Sequence, residues 1–284
     1  MFRFVETMSS DLAYAHVRRP LPQLMAIAEQ LIIAAKRLSA VCDKAIPKLE
    51  KKTNVAHATN PLDYAWPHHE QYLRKWGSRG GMTLLLGMNP GPWGMAQTGV
   101  PFGATGVARD FLGIEARKLD TPANAHPKRP IEGMALERQE VSGTRLWNLM
   151  EQYYGTPEAT FDALFVVNHC PLLLLGERGQ NITPNNLPAA VMAPILKACD
   201  EHLLEVIDIM GVTRVIGVGK YAEQRARMAL KAGKKGPGRS RNGREVAIGT
   251  CWHPSPASPL ANRNDGADWR ANVINCLEIE GNSH

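Results

Sequence analysis

The chain has 284 residues, of which 44% are hydrophobic, and this is enough to build one large globular domain. No apolar stretch approaches the roughly 20 residues of a membrane-spanning helix, and Glu6 and Asp11 lie where a secretory signal would be basic or apolar. We therefore expect a soluble intracellular protein. Five scattered cysteines without a Cys-x-x-Cys pair argue against a disulfide framework or zinc site, and the net charge of +6 is compatible with a polyanionic partner.

The first part of the chain predicts an amphipathic helix. Apolar residues recur at helical spacing from Pro22 to Ala45, and charged residues fall between them. Residues 48–60 are polar and irregular, whereas residues 61–80 hold an aromatic cluster typical of a short helix before a strand. We expect the first helix to be structural.

Four short apolar runs then predict buried strands, and helical patterns separate or follow them. The strands are predicted at residues 83–88, 163–167, 214–218 and 245–251, and the helices at 189–210, 221–231 and 267–279. This alternation predicts an α/β fold with a central, mainly parallel, four-stranded sheet flanked by helices on both faces.

Polar residues and stiff loops follow the ends of all four predicted strands. Because ligands of open α/β sheets bind outside the carboxyl ends of the strands, these residues are predicted to meet at one edge. They are Asn89, the segment 168–171 (Asn-His-Cys-Pro), the segment 217–220 (Gly-Val-Gly-Lys) and the segment 253–256 (His-Pro-Ser-Pro).

The predicted edge offers amides and an imidazole rather than a nucleophile or paired carboxylates. Asparagine can pair with the edge of a base or orient a water molecule, but it is a poor general base. His253, held after a predicted strand by Pro254 and Pro256, can donate a hydrogen bond to a forming anion. Structural alternatives remain for each residue: Asn89 as a turn former, His253 as a hydrogen-bonded structural histidine, and Phe102 as a plug of the core rather than a platform for a flat ligand. These patterns alone predict an α/β protein with a polar cleft for a planar heterocycle.

Two segments resemble the active-site motifs of the single-strand-selective monofunctional uracil-DNA glycosylases. They are GMNPGPWGMAQTGVPFG at 87–103 and HPSPASP at 253–259. Six other segments are similar to sequences of this family and occur in the family order: 60–66, 126–130, 140–147, 165–175, 181–189 and 217–227. The resemblance covers roughly residues 58–280 and implies the three-layer fold of the uracil-DNA glycosylases. It divides the chain into an N-terminal helical extension, 1–57, packed on the core and a catalytic domain, 58–284.

The resemblance also implies a role for each site residue in hydrolysis of the N-glycosidic bond of uracil or a 5-substituted uracil such as 5-hydroxymethyluracil, leaving an abasic site. Asn89 would position the attacking water, and His253 would stabilise negative charge on the departing base. Asn168 would hydrogen-bond the uracil edge, and Phe102 would stack on the flipped ring. Met88 and Gly91 would shape the pocket, with Gly91 leaving room near C5 of the base.

The resemblance further implies DNA contacts outside the pocket. The segment Pro254, Ser255, Pro256, Ala257, Ser258, Pro259 and Leu260 would enter the helix stack as a wedge. The loop 231–244 departs from the family, because it is longer and more basic than the usual connection. It is a candidate for phosphate contacts through Lys234, Lys235, Arg239 and Arg241, the alternative being a solvated, disordered loop.

Two other functions stay open from the sequence: a glycosylase of the same superfamily with xanthine, hypoxanthine or mismatch specificity, and a damaged-DNA binding protein without turnover. The expected partner is single- or double-stranded DNA, with no metal, no cofactor and no membrane, and the expected state is a monomer. The expected location follows the DNA: cytoplasm and nucleoid in a bacterium, which we favour, or the nucleus in a eukaryote.

Overall fold

A computed structural model describes residues 21–278. Residues 1–20 of the predicted N-terminal extension lie outside the described residues. The strands are β1 (His57–Thr59), β2 (Thr83–Gly87), β3 (Leu164–Asn168), β4 (Leu173–Leu175), β5 (Arg214–Val218), β6 (Gly238–Arg239) and β7 (Glu245–Cys251). The helices are α1 (Leu21–Lys52), α2 (Pro61–Tyr64), α3 (Trp66–Trp76), α4 (Met95–Thr98), α5 (Val141–Tyr154), α6 (Pro157–Ala163), α7 (Ala189–Met210), α8 (Lys220–Ala229), α9 (Pro259–Asn262) and α10 (Ala267–Glu278).

The central sheet has the strand order β3-β2-β5-β7-β6. The first four strands are parallel, and the two-residue strand β6 is an antiparallel edge beside the start of β7. Strand β2 lies in the centre of the sheet and is buried along its whole length, because helices cover the faces of a parallel sheet. The prediction of a mainly parallel four-stranded sheet is therefore confirmed, with one short strand added.

Helices flank this sheet and build the core with it. Helix α1 packs against α7 and α3, α8 packs against β5 and β7, and α10 packs against β7. Their apolar faces meet in one large buried cluster that also contains the central strands. Within residues 21–278, no helix is long and apolar enough to cross a membrane.

The first helix continues farther than its sequence pattern predicts. It ends at Lys52 rather than near Ala45, although it contains Pro47. The extension is explained by Leu49, which is fully buried against the core and prolongs the apolar face. The segment predicted to be irregular therefore splits into the end of α1 and strand β1, which pairs antiparallel with β4.

Helix α5 was not predicted, yet it directly supports the site. The Glu140 carboxylate caps its first turn by accepting hydrogen bonds from the Ser142 and Gly143 amides. Gly143 approaches the carbonyl of Phe102 so closely that a Cβ atom would overlap it. This contact brings the start of α5 against the loop that carries Phe102.

Candidate active site

The four residues predicted to form the site come from three strand ends and one glycine-rich loop. Asn89 follows β2, Asn168 ends β3, and His253 follows β7, all at the carboxyl edge of the sheet. Phe102 lies in the loop after α4, and its ring centroid is 6.1 Å from that of His253. The structure thus brings these predicted residues together at one edge.

Gly87 allows the side chains of Asn168 and Phe102 to lie close to the end of strand β2. A Cβ atom built on this last residue of β2 would overlap Asn168 Oδ1 and lie 2.6 Å from Phe102 Cε2. Only a residue without a side chain leaves both groups in place. The sequence alone does not indicate this role of Gly87, because it depends on contacts with two distant segments.

The Asn89 amide is oriented by backbone carbonyls. Its Nδ2 atom donates to Leu172 O at 3.2 Å and more weakly to Pro90 O at 3.4 Å. Because both of these partners are acceptors, they identify the nitrogen of the amide, and Oδ1 is left to accept a hydrogen bond from a ligand or water. This orientation suits the positioning of water.

Asn168 is held by its neighbours in sequence and by Met95. The amides of His169 and Cys170 donate to the carbonyls of Gly87 and Met88, which continues the pairing beyond the strands. The Asn168 Nδ2 atom lies 3.3 Å from Met95 Sδ, a weak acceptor. The amide is therefore oriented while it keeps hydrogen-bonding capacity for a ligand.

A buried polar network lies directly behind Asn168. The imidazole of His169 is within hydrogen-bond distance of Asp200 Oδ1, at 2.9 Å, and of the Tyr221 hydroxyl, at 3.1 Å. Arg225 forms an ion pair with Asp200, so the carboxylate charge is balanced. Burial lowers the pKa of His169 despite the nearby carboxylate. This network rigidifies the turn that presents Asn168.

His253 is a neutral imidazole with a defined tautomer. Burial lowers its pKa below the usual range for histidine. The Ser255 amide donates to Nδ1 at 3.1 Å, so the proton resides on Nε2, which is free to donate to a ligand.

Side chains from two helices anchor the residues on either side of His253. Asn272 accepts from the Trp252 amide, and the Trp269 indole donates to the Trp252 carbonyl. Arg145 on α5 donates to the Pro254 carbonyl at 3.1 Å. The imidazole is thus held from both sides, by residues that no short motif around His253 indicates.

The predicted pocket-shaping residues Met88 and Gly91 are both half-buried. Met88 contributes its carbonyl to the pairing with Cys170. Apart from Gly91 and its two chain neighbours, no residue has a heavy atom within 4 Å of the position that a Cβ atom on Gly91 would occupy. Space therefore exists beside the loop at this position.

The predicted wedge forms a compact turn after His253. Pro254 is buried, whereas Pro256, Ala257, Pro259 and Leu260 are exposed, and Leu260 exposes 43% of its surface. The Ser255 hydroxyl accepts from the Ala257 amide, and the Ser258 amide donates to the Ser255 carbonyl. Of the predicted segment, Pro254 is thus a packing residue, and the projecting part runs from Pro256 to Leu260.

The basic loop does not join this site. Strand β6, within the loop, pairs with Val246 and Glu245 at the start of β7, which lies about 20 Å along that strand from its carboxyl end. Arg241 pairs with Glu205 of α7, and Arg239 donates to the Gly243 carbonyl within the loop. Lys234 and Lys235 are exposed near the same edge. All four residues thus belong to the opposite edge of the sheet from the pocket, and phosphate contacts by them stay a prediction.

Within residues 21–278, the cysteines and the other potential ligand residues form no metal site. Cys42, Cys170, Cys199, Cys251 and Cys276 are free thiols. Among the described residues, no group of three histidine, cysteine, aspartate or glutamate side chains is arranged to hold a metal ion.

Comparison with known proteins assigns this site to a family. The model of the uracil DNA glycosylase superfamily matches residues 75–276, which include all four site residues. The chain belongs to this superfamily. It is also 41% identical over 244 residues to the single-strand selective monofunctional uracil DNA glycosylase of Bos taurus, covering 86% of this chain and 85% of the relative.

Further relatives agree with this assignment. The Mus musculus protein of the same name is 42% identical over 244 residues, covering 86% of this chain and 82% of its own length. Membership in the single-strand selective monofunctional family is therefore established. The crystal structure of Pedobacter heparinus SMUG2 matches with a TM-score of 0.55 at 16% identity, covering 80% of this chain and 88% of that one. This likeness supports the glycosylase fold.

Proposed function

We propose that this glycosylase excises uracil from DNA in base-excision repair and leaves an abasic site without cutting the strand. The observation that carries the proposal is the convergence of Asn89, Phe102, Asn168 and His253 at one edge of the sheet, in a chain that belongs to the family. These residues supply a water-orienting group, a stacking ring, an amide for a base edge and a hydrogen-bond donor.

The base must leave the stack to reach this site. Phe102 stacks on the extruded ring, and Asn168 accepts from N3 and donates to O4 of uracil. Cytosine has no proton on N3 and carries an amino group at position 4, so both hydrogen bonds would be lost. The projecting residues Pro256 to Leu260 fill the space that the base leaves.

The reaction breaks the bond between C1′ of the sugar and N1 of uracil. The electron pair of this bond moves onto the base, and the Nε2 proton of His253 donates a hydrogen bond to O2 as the charge develops. Asn89 Oδ1 holds a water molecule whose oxygen attacks C1′, and the water proton is released to solvent. These roles of Asn89 and His253 suit a site without a strong base, because the hydrogen bond from His253 stabilises the leaving group directly.

Replacing Gly87 with alanine is expected to lower the rate of uracil release by about tenfold or more while the protein stays folded. The added methyl group must displace the ends of Asn168 and Phe102, the two groups that hold the base. Gly249→Ala is the matched control, since a Cβ atom on this residue of strand β7, in the same sheet, would make only one ordinary contact, at 3.9 Å. Single-turnover rates and melting temperatures of both variants test this. Equal rates for Gly87→Ala and the unmodified protein would contradict the role of Gly87.

We further propose that the enzyme accepts 5-substituted uracils, including 5-hydroxymethyluracil, because of the open space at Gly91. Gly91→Tyr is expected to abolish release of 5-hydroxymethyluracil and to retain most uracil release. Gly91→Ala is the control and should retain both activities, because the methyl group meets no atom within 4 Å. An unchanged ratio of the two rates in Gly91→Tyr would show that Gly91 does not set this tolerance.

The specificity is tested on oligonucleotides that carry uracil, 5-hydroxymethyluracil, xanthine or hypoxanthine, in single- and double-stranded form. We expect release of the two pyrimidines from both forms. Preferential release of xanthine or hypoxanthine would favour the other specificity within the superfamily, and binding without base release would favour a damaged-DNA binding protein.

We also propose that the enzyme acts as a monomer and without a membrane partner. Its location follows the DNA: cytoplasm and nucleoid in a bacterium, which we favour, or the nucleus in a eukaryote.

A further inference from the structure

Two arginines converge on one tryptophan beside the active-site loop. The guanidinium carbons of Arg138 and Arg129 lie 4.4 Å and 5.0 Å from the centroid of the Trp93 ring. Arg138 is exposed, and Trp93 and Arg129 are half-buried. We call these three residues the Trp93 cluster. Cation–π attraction holds both guanidinium groups against the ring.

A buried glutamine fixes the position of this cluster. Gln97 is fully buried, and its Nε2 atom donates to the carbonyls of Pro92 and Pro130, both at 2.9 Å. Its Oε1 atom accepts from the amides of Glu132 and Gly133. Gln97 thus ties the chain next to Trp93 to the chain next to Arg129. The cluster is therefore a preorganised surface rather than a chance contact of long side chains.

The positive charge of the cluster is not balanced by carboxylates. Within residues 21–278, neither Arg129 nor Arg138 forms an ion pair, whereas ten other arginines do. Arg109 and Arg117, which are also exposed, pair with Asp110 and Glu115. Two guanidinium groups held near each other repel, so binding an anion there is favourable.

The cluster lies next to the pocket. Trp93 follows Gly91 by two residues, so their Cα atoms are at most about 7.6 Å apart. Guanidinium groups present a planar fork of donors that matches the oxygens of a phosphate. Arg129 Nε and Nη1 donate to the carbonyls of Gly179 and Lys128, which leaves its Nη2 group and the guanidinium of the exposed Arg138 as donors for a phosphate.

We propose that the Trp93 cluster binds phosphodiester groups of the DNA strand that carries the extruded nucleotide. The proposal rests on the proposed glycosylase function for its ligand. Unlike the basic loop 231–244, which lies at the opposite edge of the sheet, the Trp93 cluster lies on the side of the pocket. Phosphate binding by the Trp93 cluster anchors the DNA strand beside the loop that contains Gly91. The wedge, Pro256 to Leu260, has a different role, since it fills the space that the base leaves in the stack.

The test is the salt dependence of DNA binding by the full chain. Fluorescence anisotropy measures the affinity for a labelled single-stranded oligonucleotide with a tetrahydrofuran abasic analogue, over a series of salt concentrations. The Arg129→Gln/Arg138→Gln double variant is expected to bind about fivefold more weakly. The slope of log K against log salt concentration should fall by about 0.7 for each arginine removed.

Arg109→Gln/Arg117→Gln is the matched control, since it removes two exposed arginines that already have carboxylate partners. This control should keep the slope of the unmodified protein. Uracil release at saturating DNA should be unchanged in the cluster variant, while its KM rises. An unaltered slope in a cluster variant with a normal melting temperature would overturn the proposal, and so would an equal loss of slope in the control.

The outcome also separates this proposal from the proposed function. If the unmodified protein releases uracil, and the salt-dependence slopes of the unmodified protein and the cluster variant are equal, only the proposal for the Trp93 cluster fails. If it releases no uracil but the cluster variant loses slope, the surface binds DNA and the glycosylase proposal fails.

Discussion

Replacing His253 with alanine is expected to lower the single-turnover rate of uracil release by about 10²–10³-fold. The variant loses the only hydrogen bond that this side chain can direct at the departing base, since Nδ1 is engaged by the Ser255 amide. His253→Gln keeps an N–H donor on a side chain of similar reach and should recover part of this loss. A rate for His253→Ala within a few-fold of the unmodified protein would contradict the assigned role.

The pH profile distinguishes a neutral donor from a cationic one. Burial lowers the pKa of His253, so the imidazole is neutral at pH 7 and above. A mechanism that needed imidazolium would lose about tenfold in rate per pH unit above that pKa. We expect no such loss between pH 7 and pH 8, because the neutral tautomer with its proton on Nε2 is the active form.

Replacing Asn89 with alanine is expected to lower the same rate by at least about 10²-fold. The amide is tethered through Nδ2 to backbone carbonyls, so its oxygen holds the attacking water in a fixed direction. Removing the amide leaves the water unoriented, while the groups that hold the base are unchanged. The variant should therefore bind DNA with near-normal affinity and fail mainly in the chemical step.

Asn242→Ala is the control for this prediction. Asn242 is an exposed asparagine in the basic loop at the opposite edge of the sheet, and its removal should leave uracil release unchanged. Anisotropy measures binding, and rapid-quench kinetics measure the rate. Loss of binding in parallel with loss of rate would show that Asn89 holds the base rather than the water.

The sheet could be predicted from the sequence because its four parallel strands are short, mostly apolar segments separated or followed by helical patterns. The run at residues 83–88 and the apolar pattern at 245–251 each became a strand of the parallel sheet. The rule that ligands lie at the carboxyl ends of such strands then placed Asn89, Asn168 and His253 together. The helix α5 was missed, although Leu146, Trp147 and Met150 follow a helical spacing and are fully buried.

The supports of the site could not be predicted, because they depend on contacts between distant segments. Gly87 matters only because Asn168 and Phe102 meet above it, 81 and 15 residues later in the chain. Gln97 orders the Trp93 cluster through carbonyls and amides that carry no side-chain signature. The position of the basic loop 231–244 could not be predicted either, because composition indicates charge without indicating at which edge of the sheet it lies.

The central claim is tested most directly by product analysis on a single-stranded oligonucleotide with one uracil. Chromatography quantifies free uracil, and a denaturing gel, run with and without alkali, quantifies strand breaks. We predict one free uracil for each alkali-labile site and an intact strand before alkali. An absence of free uracil, or strand breaks without alkali, would contradict the account.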